Sequence, residues 1–284
     1  MTLSVDETTC ILCNKCVKIC TSKIFHKSEG AQPSIELQHP EYCISCGHCV
    51  AVCPTSSVSH SDFPKETIHP IHSDLLPRPE QVLTLIRSRR SNRAFSGKAV
   101  PEELLQQIVE AAYRAPTASN EQELEFTLVT DPEKLHLVSS LTLQYFGSLI
   151  RLIKPIQGIA KKIAPKEVSM IPQFEEMERQ FHEGNDLILR GAKALLLIHT
   201  HKKARFGRQD ANLAYQNASL MAESLGVAHF YTGFVCTGTD NDKKQKIAKA
   251  LGIEGSIQAG MAMGMPSFRF ERYIDRKPIK LNRV

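Results

Sequence analysis

Eight of the chain's nine cysteines fall within its first 53 residues, in two runs of one form: CILCNKCVKICT at 10–21 and CISCGHCVAVCP at 43–54. In both runs the gaps between successive cysteines are two, two and three residues. This crowding limits the fold more than any hydrophobic pattern nearby, because so short a segment has little apolar core and needs bonds to sulfur to hold it. A disulfide framework belongs to secreted domains, and MTLSVDETTC has no basic region followed by an apolar run. The thiols are therefore read as ligands in a reducing compartment, with the cytoplasm as the expected location. Paired C-x-x-C motifs also suit structural zinc, but zinc leaves the third and fourth cysteines of each run without a role.

A [4Fe–4S] cube needs four thiolates, and two-residue gaps let three successive cysteines curl round one face of it. The duplicated four-cysteine run, closed by Pro54 in its second copy, resembles bacterial two-cluster ferredoxins over about the first 55 residues. In that family the fourth cysteine of each run ligates the other cluster. The resemblance thus implies one [4Fe–4S] cluster on Cys10, Cys13, Cys16 and Cys53, and another on Cys43, Cys46, Cys49 and Cys20. Thr21 stands where the family usually has proline, which implies an altered local shape with the cluster retained. The ninth cysteine, Cys236, follows a predicted strand and is read as a small buried hydrophobe.

The rest of the 284 residues must form a second body. A formal charge of +5, spread without a dense basic block, does not argue for nucleic acid. No apolar stretch is long enough for a membrane span, and ALLLI at 194–198 is only strand-sized. Residues 61–80 carry Pro64, Pro70, Pro77 and Pro79 and read as a stiff linker. Beyond it, EQVLTLIRSRR repeats Val82, Leu85 and Ile86 at helical spacing, and PEELLQQIVEAAYRA opens on Pro101 and buries Leu104, Leu105, Ile108 and Ala112. Strands are predicted at 125–131, 192–201, 229–235 and 256–266. Helices are predicted at 210–226, closed by Gly226, and over KKQKIAKALG. Residues 141–190, apolar with Arg151, Lys154, Lys161 and Lys162 interspersed, read as a helical insertion packed over the domain or a site, with a membrane-surface helix as the alternative.

Two stretches of this second body carry chemistry. RSRRSNRAF at 87–95 gathers Arg87, Arg89, Arg90 and Arg93 around Ser91, and guanidinium groups hold a phosphate dianion with forked hydrogen bonds. APTASNEQELEF at 115–126 packs small hydroxyl residues and Asn120 behind a proline. Taken in order, these resemble the nitroreductase family of FMN flavoproteins. Its Arg-Arg-Ser-x-Arg-x-Phe signature is matched by Arg89, Arg90, Ser91, Arg93 and Phe95. Its Ala-Pro-Ser/Thr-x-x-Asn-x-Gln loop is matched by Ala115, Pro116, Thr117, Asn120 and Gln122. Its C-terminal Arg-Lys-Pro is matched by Arg276, Lys277 and Pro278.

The resemblance implies an α+β fold: a ferredoxin-like two-cluster domain over 1–60, the linker, and a nitroreductase-like FMN domain over 81–284. The latter's central, mainly antiparallel sheet would be flanked by helices and paired in an intertwined homodimer with FMN at the interface. It assigns Arg89, Arg90, Ser91 and Arg93 to the FMN phosphate, ribityl chain and pyrimidine edge, and Arg276 to the phosphate. Pro116, Thr117, Ser119, Asn120 and Gln122 belong to the loop that meets the partner's flavin, and Thr232 and Gly233 to the reactive edge of the ring. Glu123 and Leu124 replace the family's frequent Pro-Trp, and Thr232 replaces a Glu common in nicotinamide-using members. The expected activity is reduction of a small electrophile such as a nitroaromatic or quinone, with NAD(P)H or reduced ferredoxin as external donor. No protein acid or base is assigned as catalytic. The alternative is an electron-transfer module that serves a protein partner and has no small-molecule substrate.

Overall fold

Superposing the first cysteine run on the second lays Cys10 on Cys43 and Cys20 on Cys53, and the backbone repeats in the same register. A computed structural model describes residues 1–284, apart from the side chain of residue 167. Leu12 and Ser45 both have positive φ, as do Asn14 and Gly47, and Lys23 and Ser56. Each left-handed residue turns the chain tightly, so that a run of cysteines wraps a common centre. Helix α1 (Lys15–Ile19) has its copy in α2 (His48–Val52). Strand β1 (Leu3–Val5) pairs antiparallel with β4 (Val58–His60), and β2 (Phe25–Lys27) with β3 (Ile35–Leu37). Ile24, Phe25, Ile35, Val50 and Val58 form the small core between them.

The chain divides into two units. The first spans Met1–Pro77 and takes in Ala118–Glu121; the second holds Arg78–Thr117 and Gln122–Val284. Pro77 lies within the expected linker, whose residues form two short 3-10 turns at Lys65–Thr67 and Ser73–Leu75.

In the second unit, β5 (Glu125–Val129), β6 (Ala194–Thr200), β7 (Ala228–Tyr231) and β8 (Ser256–Gly264) form one antiparallel sheet in the order β5-β6-β8-β7. Every residue of β6 is buried, which explains why ALLLI reads as a continuous apolar run. Strand alternation divides its side chains between two cores. Ala194, Leu196 and Ile198 pack with α4 (Glu102–Tyr113) and α9 (Gly207–Ser224); Leu195 and Leu197 pack on the opposite face. Ala211, Ala214, Ala218 and Ala222, spaced three or four apart, form the small-residue stripe by which α9 meets the sheet.

The opposite face carries α5 (Pro132–Ile153) and α8 (Ile171–His182), with α6 (Gln157–Ile163) and α7 (Pro165–Ser169) between them. Phe146 and Phe174 stack at 4.2 Å within that core. Residues 141–182 hold the later part of α5 and all of α6, α7 and α8, and α5 and α8 contribute side chains to the hydrophobic core. No helix among the described residues is long and apolar enough to cross a membrane.

Two predicted elements change. The strand expected at 229–235 stops at Tyr231, and Gly233 begins α10 (Gly233–Asn241). The Thr232 amide makes the last sheet contact, to Gly260 O at 2.9 Å, after which Val235 and Cys236 are buried by helical turns. The alternating pattern concealed a strand-to-helix junction. The helix expected over KKQKIAKALG contracts to α11 (Lys246–Ala250), because Gln245 adopts a left-handed conformation before it. Helix α3 (Pro79–Ser88) forms as predicted, but Val82, Leu83 and Ile86 are exposed in the single chain.

Candidate functional site

The first unit contains two cavities lined by cysteine. Cys10, Cys13, Cys16 and Cys53 line one; Cys20, Cys43, Cys46 and Cys49 line the other. Each set takes three thiols from one run and the last from the other, the crossed arrangement expected from the resemblance. Among the described residues, no three His, Cys, Asp or Glu side chains converge tightly enough to hold a single metal ion. Each cavity instead spreads four thiols around a void, a donor set suited to a multi-iron cube.

Burial pushes the Cys49 thiol up to about 11 and that of Cys16 upward as well. Such thiols need a positive centre to ionise them, which bound iron supplies. Burial also acts on Cys53, but the Thr55 hydroxyl and the amides of Thr55, Val58 and Ser57 outweigh it and lower its pKa. The repeat extends to the sulfur contacts. The Ile24 amide donates to Cys20 Sγ at 3.4 Å, and its counterpart in the second copy, the Ser57 amide, donates to Cys53 Sγ at 3.2 Å.

A cavity of about 440 Å³ in the second unit brings together Arg93, Thr232 and Gly233. Gln173 of α8, Arg190, Phe230 and Thr237 are among the other residues that line it. The first turn of α10 lies along it, so the positive end of a nine-residue helix faces the space. The guanidinium of Arg93 sits 5.2 Å over the Phe230 ring. The arginine loop is stitched to the end of β8: Ser96 donates to Met265 O at 2.8 Å and Ser267 to Ala94 O at 2.9 Å. Buried Asn92 anchors it further, donating to Phe268 O and accepting from the Ala94 amide, both at 3.0 Å. Asn92 is therefore the structural residue of the RRSNR motif.

Other predicted residues lie apart from this cavity. Arg90 bonds the carbonyls of Arg87 and Arg89, and Ser91 O accepts from Arg93. Arg89 lies close enough to buried His229 and Tyr215 to influence both electrostatically. In the loop, Pro116 is exposed, and Thr117 Oγ1 accepts from the Gln122 amide at 3.0 Å. Ser119, Asn120 and Gln122 all have positive φ. Within the first unit, Asn120 Nδ2 donates to Ile44 O at 3.2 Å and Ser45 O at 2.9 Å. Arg276 is exposed in the C-terminal segment. Sequence reasoning missed Gln173 and Arg190. Arg190-Gly191 signals only a turn, both residues having positive φ; nothing local shows that it borders a cavity. Another cavity, about 290 Å³ and lined by Tyr145, Asp240 and Lys246, contains no predicted site residue.

The nitroreductase family model matches residues 86–265, well over half of the chain. The chain belongs to the nitroreductase family. A 4Fe-4S dicluster domain matches residues 9–57, so this family member carries an N-terminal ferredoxin-type domain. The chain is similar to a putative NADH dehydrogenase/NAD(P)H nitroreductase of Methanothermobacter thermautotrophicus, 27% identical over 57% of this chain and 66% of that one. A protein of the same description from Archaeoglobus fulgidus is 40% identical over 21% of this chain and 34% of its own length. The chain thus spans about a third of one relative's length and just under two thirds of the other's. Its fold is that of the FMN-bound nitroreductases of Bacteroides fragilis (TM-score 0.52, 22% identity, 72% of this chain and 99% of that one) and Desulfitobacterium hafniense (TM-score 0.54, 19% identity, 71% and 98%).

Proposed function

We propose that this nitroreductase-family chain is an iron–sulfur flavoprotein oxidoreductase. Two [4Fe–4S] cubes, on Cys10, Cys13, Cys16, Cys53 and on Cys20, Cys43, Cys46, Cys49, would relay electrons to FMN in the second unit. The flavin's chemistry is to take up electrons singly and deliver them in pairs to a small electrophile such as a nitroaromatic or quinone. The observation that carries this reading is the convergence of Arg93, Thr232 and Gly233 on one cavity under the α10 N-terminus. That cavity is of the size that cofactor sites occupy.

The chain's own residues supply positioning and charge. Arg93 and Arg190 bring cations to the cavity, and the α10 amides add a fixed positive field; both favour a negatively charged ring system. Arg89, Arg90, Ser91 and Arg276 are proposed for the phosphate and ribityl chain. Pro116, Thr117, Ser119, Asn120 and Gln122 are proposed to meet the flavin of a partner subunit. Apolar side chains left exposed in the single chain support a homodimer: Val82, Leu83 and Ile86 on α3, and Phe268, Phe270, Ile274, Ile279 and Leu281 in the C-terminal segment. We place the protein in the cytoplasm, where thiolate ligation is favoured. A second reading, an electron-transfer module without a small-molecule substrate, draws on Thr232, which stands where nicotinamide-using members of the family commonly carry Glu.

The test is anaerobic. Purified protein should contain about eight irons per FMN, and NADH, NADPH or reduced ferredoxin should bleach the flavin band, naming the donor. Reduced protein should then be reoxidised by a nitroaromatic or a quinone. Reoxidation only by a protein acceptor would favour the second reading, and bound zinc in place of iron would overturn the first unit's assignment.

A further inference from the structure

The internal repeat is broken at one sulfur. His60 ends β4, its side chain is 1% exposed, and its Nε2 lies 3.5 Å from Cys43 Sγ. In the register that lays Cys10 on Cys43, the counterpart of His60 is Lys27, which is exposed at the end of β2. The first-run set thus lacks the corresponding imidazole at Cys10. Its own added contact is the Thr55 hydroxyl, 3.7 Å from Cys53 Sγ and also bonded to Ser57 Oγ at 2.7 Å.

The hydrogen-bond network fixes the tautomer. The Asp62 backbone N–H donates to His60 Nδ1 at 3.1 Å, so the ring proton belongs on Nε2, directed at Cys43. The Asp62 carboxylate does not compete for it. Ser45 Oγ (2.6 Å) and Ser61 Oγ (3.0 Å) donate to its two oxygens, and its approach to Nδ1 is 4.0 Å, beyond hydrogen-bond range. Phe63 fixes the ring, with centroids 5.0 Å apart. Phe63 in turn occupies the space beside Gly47, where a Cβ would come within 3.3 Å of it.

We propose that His60 is a positioning residue: a neutral N–H donor to Cys43 that raises the midpoint potential of the cube held by Cys20, Cys43, Cys46 and Cys49. The inference rests on the iron–sulfur reading above. One-electron reduction adds negative charge to a cube and its thiolates, and a donor on a ligand sulfur stabilises that form more than the oxidised one. The two amide–sulfur contacts shared by the repeat act alike on both cubes. The imidazole acts only on the second-run cube and the longer Thr55 hydroxyl contact, at 3.7 Å, only on the first-run cube, so His60 by itself shifts electron partition toward the second-run cube.

The experiment is an EPR-monitored potentiometric titration of the full-length holoprotein at fixed pH, with iron counted in each sample. Wild type, His60→Phe and His60→Gln are compared. His60→Phe should lower one midpoint and leave the other unchanged, shifting electron partition between the cubes roughly tenfold, or about 59 mV for one electron. His60→Gln, which keeps an N–H, should shift the same midpoint less. Unchanged midpoints, or equal shifts in both, overturn the proposal. Wild type without two cubes overturns the cofactor reading and this inference with it. If His60→Phe loses iron, pulsed EPR of the wild type labelled with ¹⁵N-histidine decides. A nitrogen coupling at one reduced cube that persists in His48→Gln supports the proposal, since His48 also lines that cavity; its absence there refutes it.

Discussion

Gly260→Ala should show how tightly the sheet is fitted to the wall of the cavity that Thr232 lines. Gly260 lies in the buried strand β8 beside Thr232, whose amide donates to its carbonyl at 2.9 Å. A Cβ at Gly260 would stand 2.4 Å from Thr232 Oγ1 and 3.1 Å from Leu197 Cδ2. Thr232 is 2% exposed, so it has little room to withdraw, and a β-branched side chain has few rotamers to choose from. Overpacking of this kind costs about 1–3 kcal/mol, while replacing a strand glycine by alanine returns roughly 0.5–1 kcal/mol through the unfolded chain. The net loss expected is about 1–2 kcal/mol. In a Thr232→Ala background the shortest contact disappears and only the Leu197 contact remains. A double-mutant cycle by urea denaturation, followed by far-UV circular dichroism, should therefore give a favourable coupling on the order of 1 kcal/mol between the two changes. Equal costs of Gly260→Ala in both backgrounds would refute the argument that the missing Cβ makes room for Thr232.

The crossed thiol sets predict that Cys20→Ser and Cys46→Ser abolish the same EPR signal, and Cys13→Ser and Cys53→Ser the other, each leaving about four irons. Arg93→Ala should weaken FMN binding at least tenfold by flavin-fluorescence titration, and Arg93→Lys should restore it only in part, since an ammonium lacks the planar fork. His229 gives a pH dependence. Burial holds its pKa below the ordinary 6.5, while its Nδ1 donates to Val227 O at 3.0 Å and its Nε2 accepts from Ser219 Oγ at 2.8 Å. The unfolded chain therefore binds the proton more readily. The stability from a neutral His229 is complete above about pH 6.5 and is lost as the pH falls below it. Thermal unfolding of His229→Gln should show a shallower acid decline than wild type; an identical decline would remove His229 as its source.

Much of this was legible in local pattern. The cysteine spacing alone marked candidate ligands and a duplicated unit, because gaps of two residues place successive thiols on one side of a tight turn whatever surrounds them. The continuous apolar run at 194–198 marked a strand and the pattern over 210–226 a helix, both of which form. What misled was the alternation in HFYTGFV, which fits a strand by pattern while the Thr232 amide already closes the sheet. Neither could local pattern show that Gln173 and Arg190, far from Gly233 along the chain, would line the same cavity as Gly233, since that depends on where α8 and the turn before β6 come to rest.

The sequence by itself determined the cofactor chemistry of the first unit and the family of the second, since both depend on residue types at short, fixed spacing. The tertiary structure decided which sulfurs share a cavity, which arginines line the cavity beside α10, and that His60 meets only one thiol set. Those outcomes rest on packing between distant segments, where a hydrogen bond at 3.5 Å or a missing Cβ fixes a role that no spacing rule encodes.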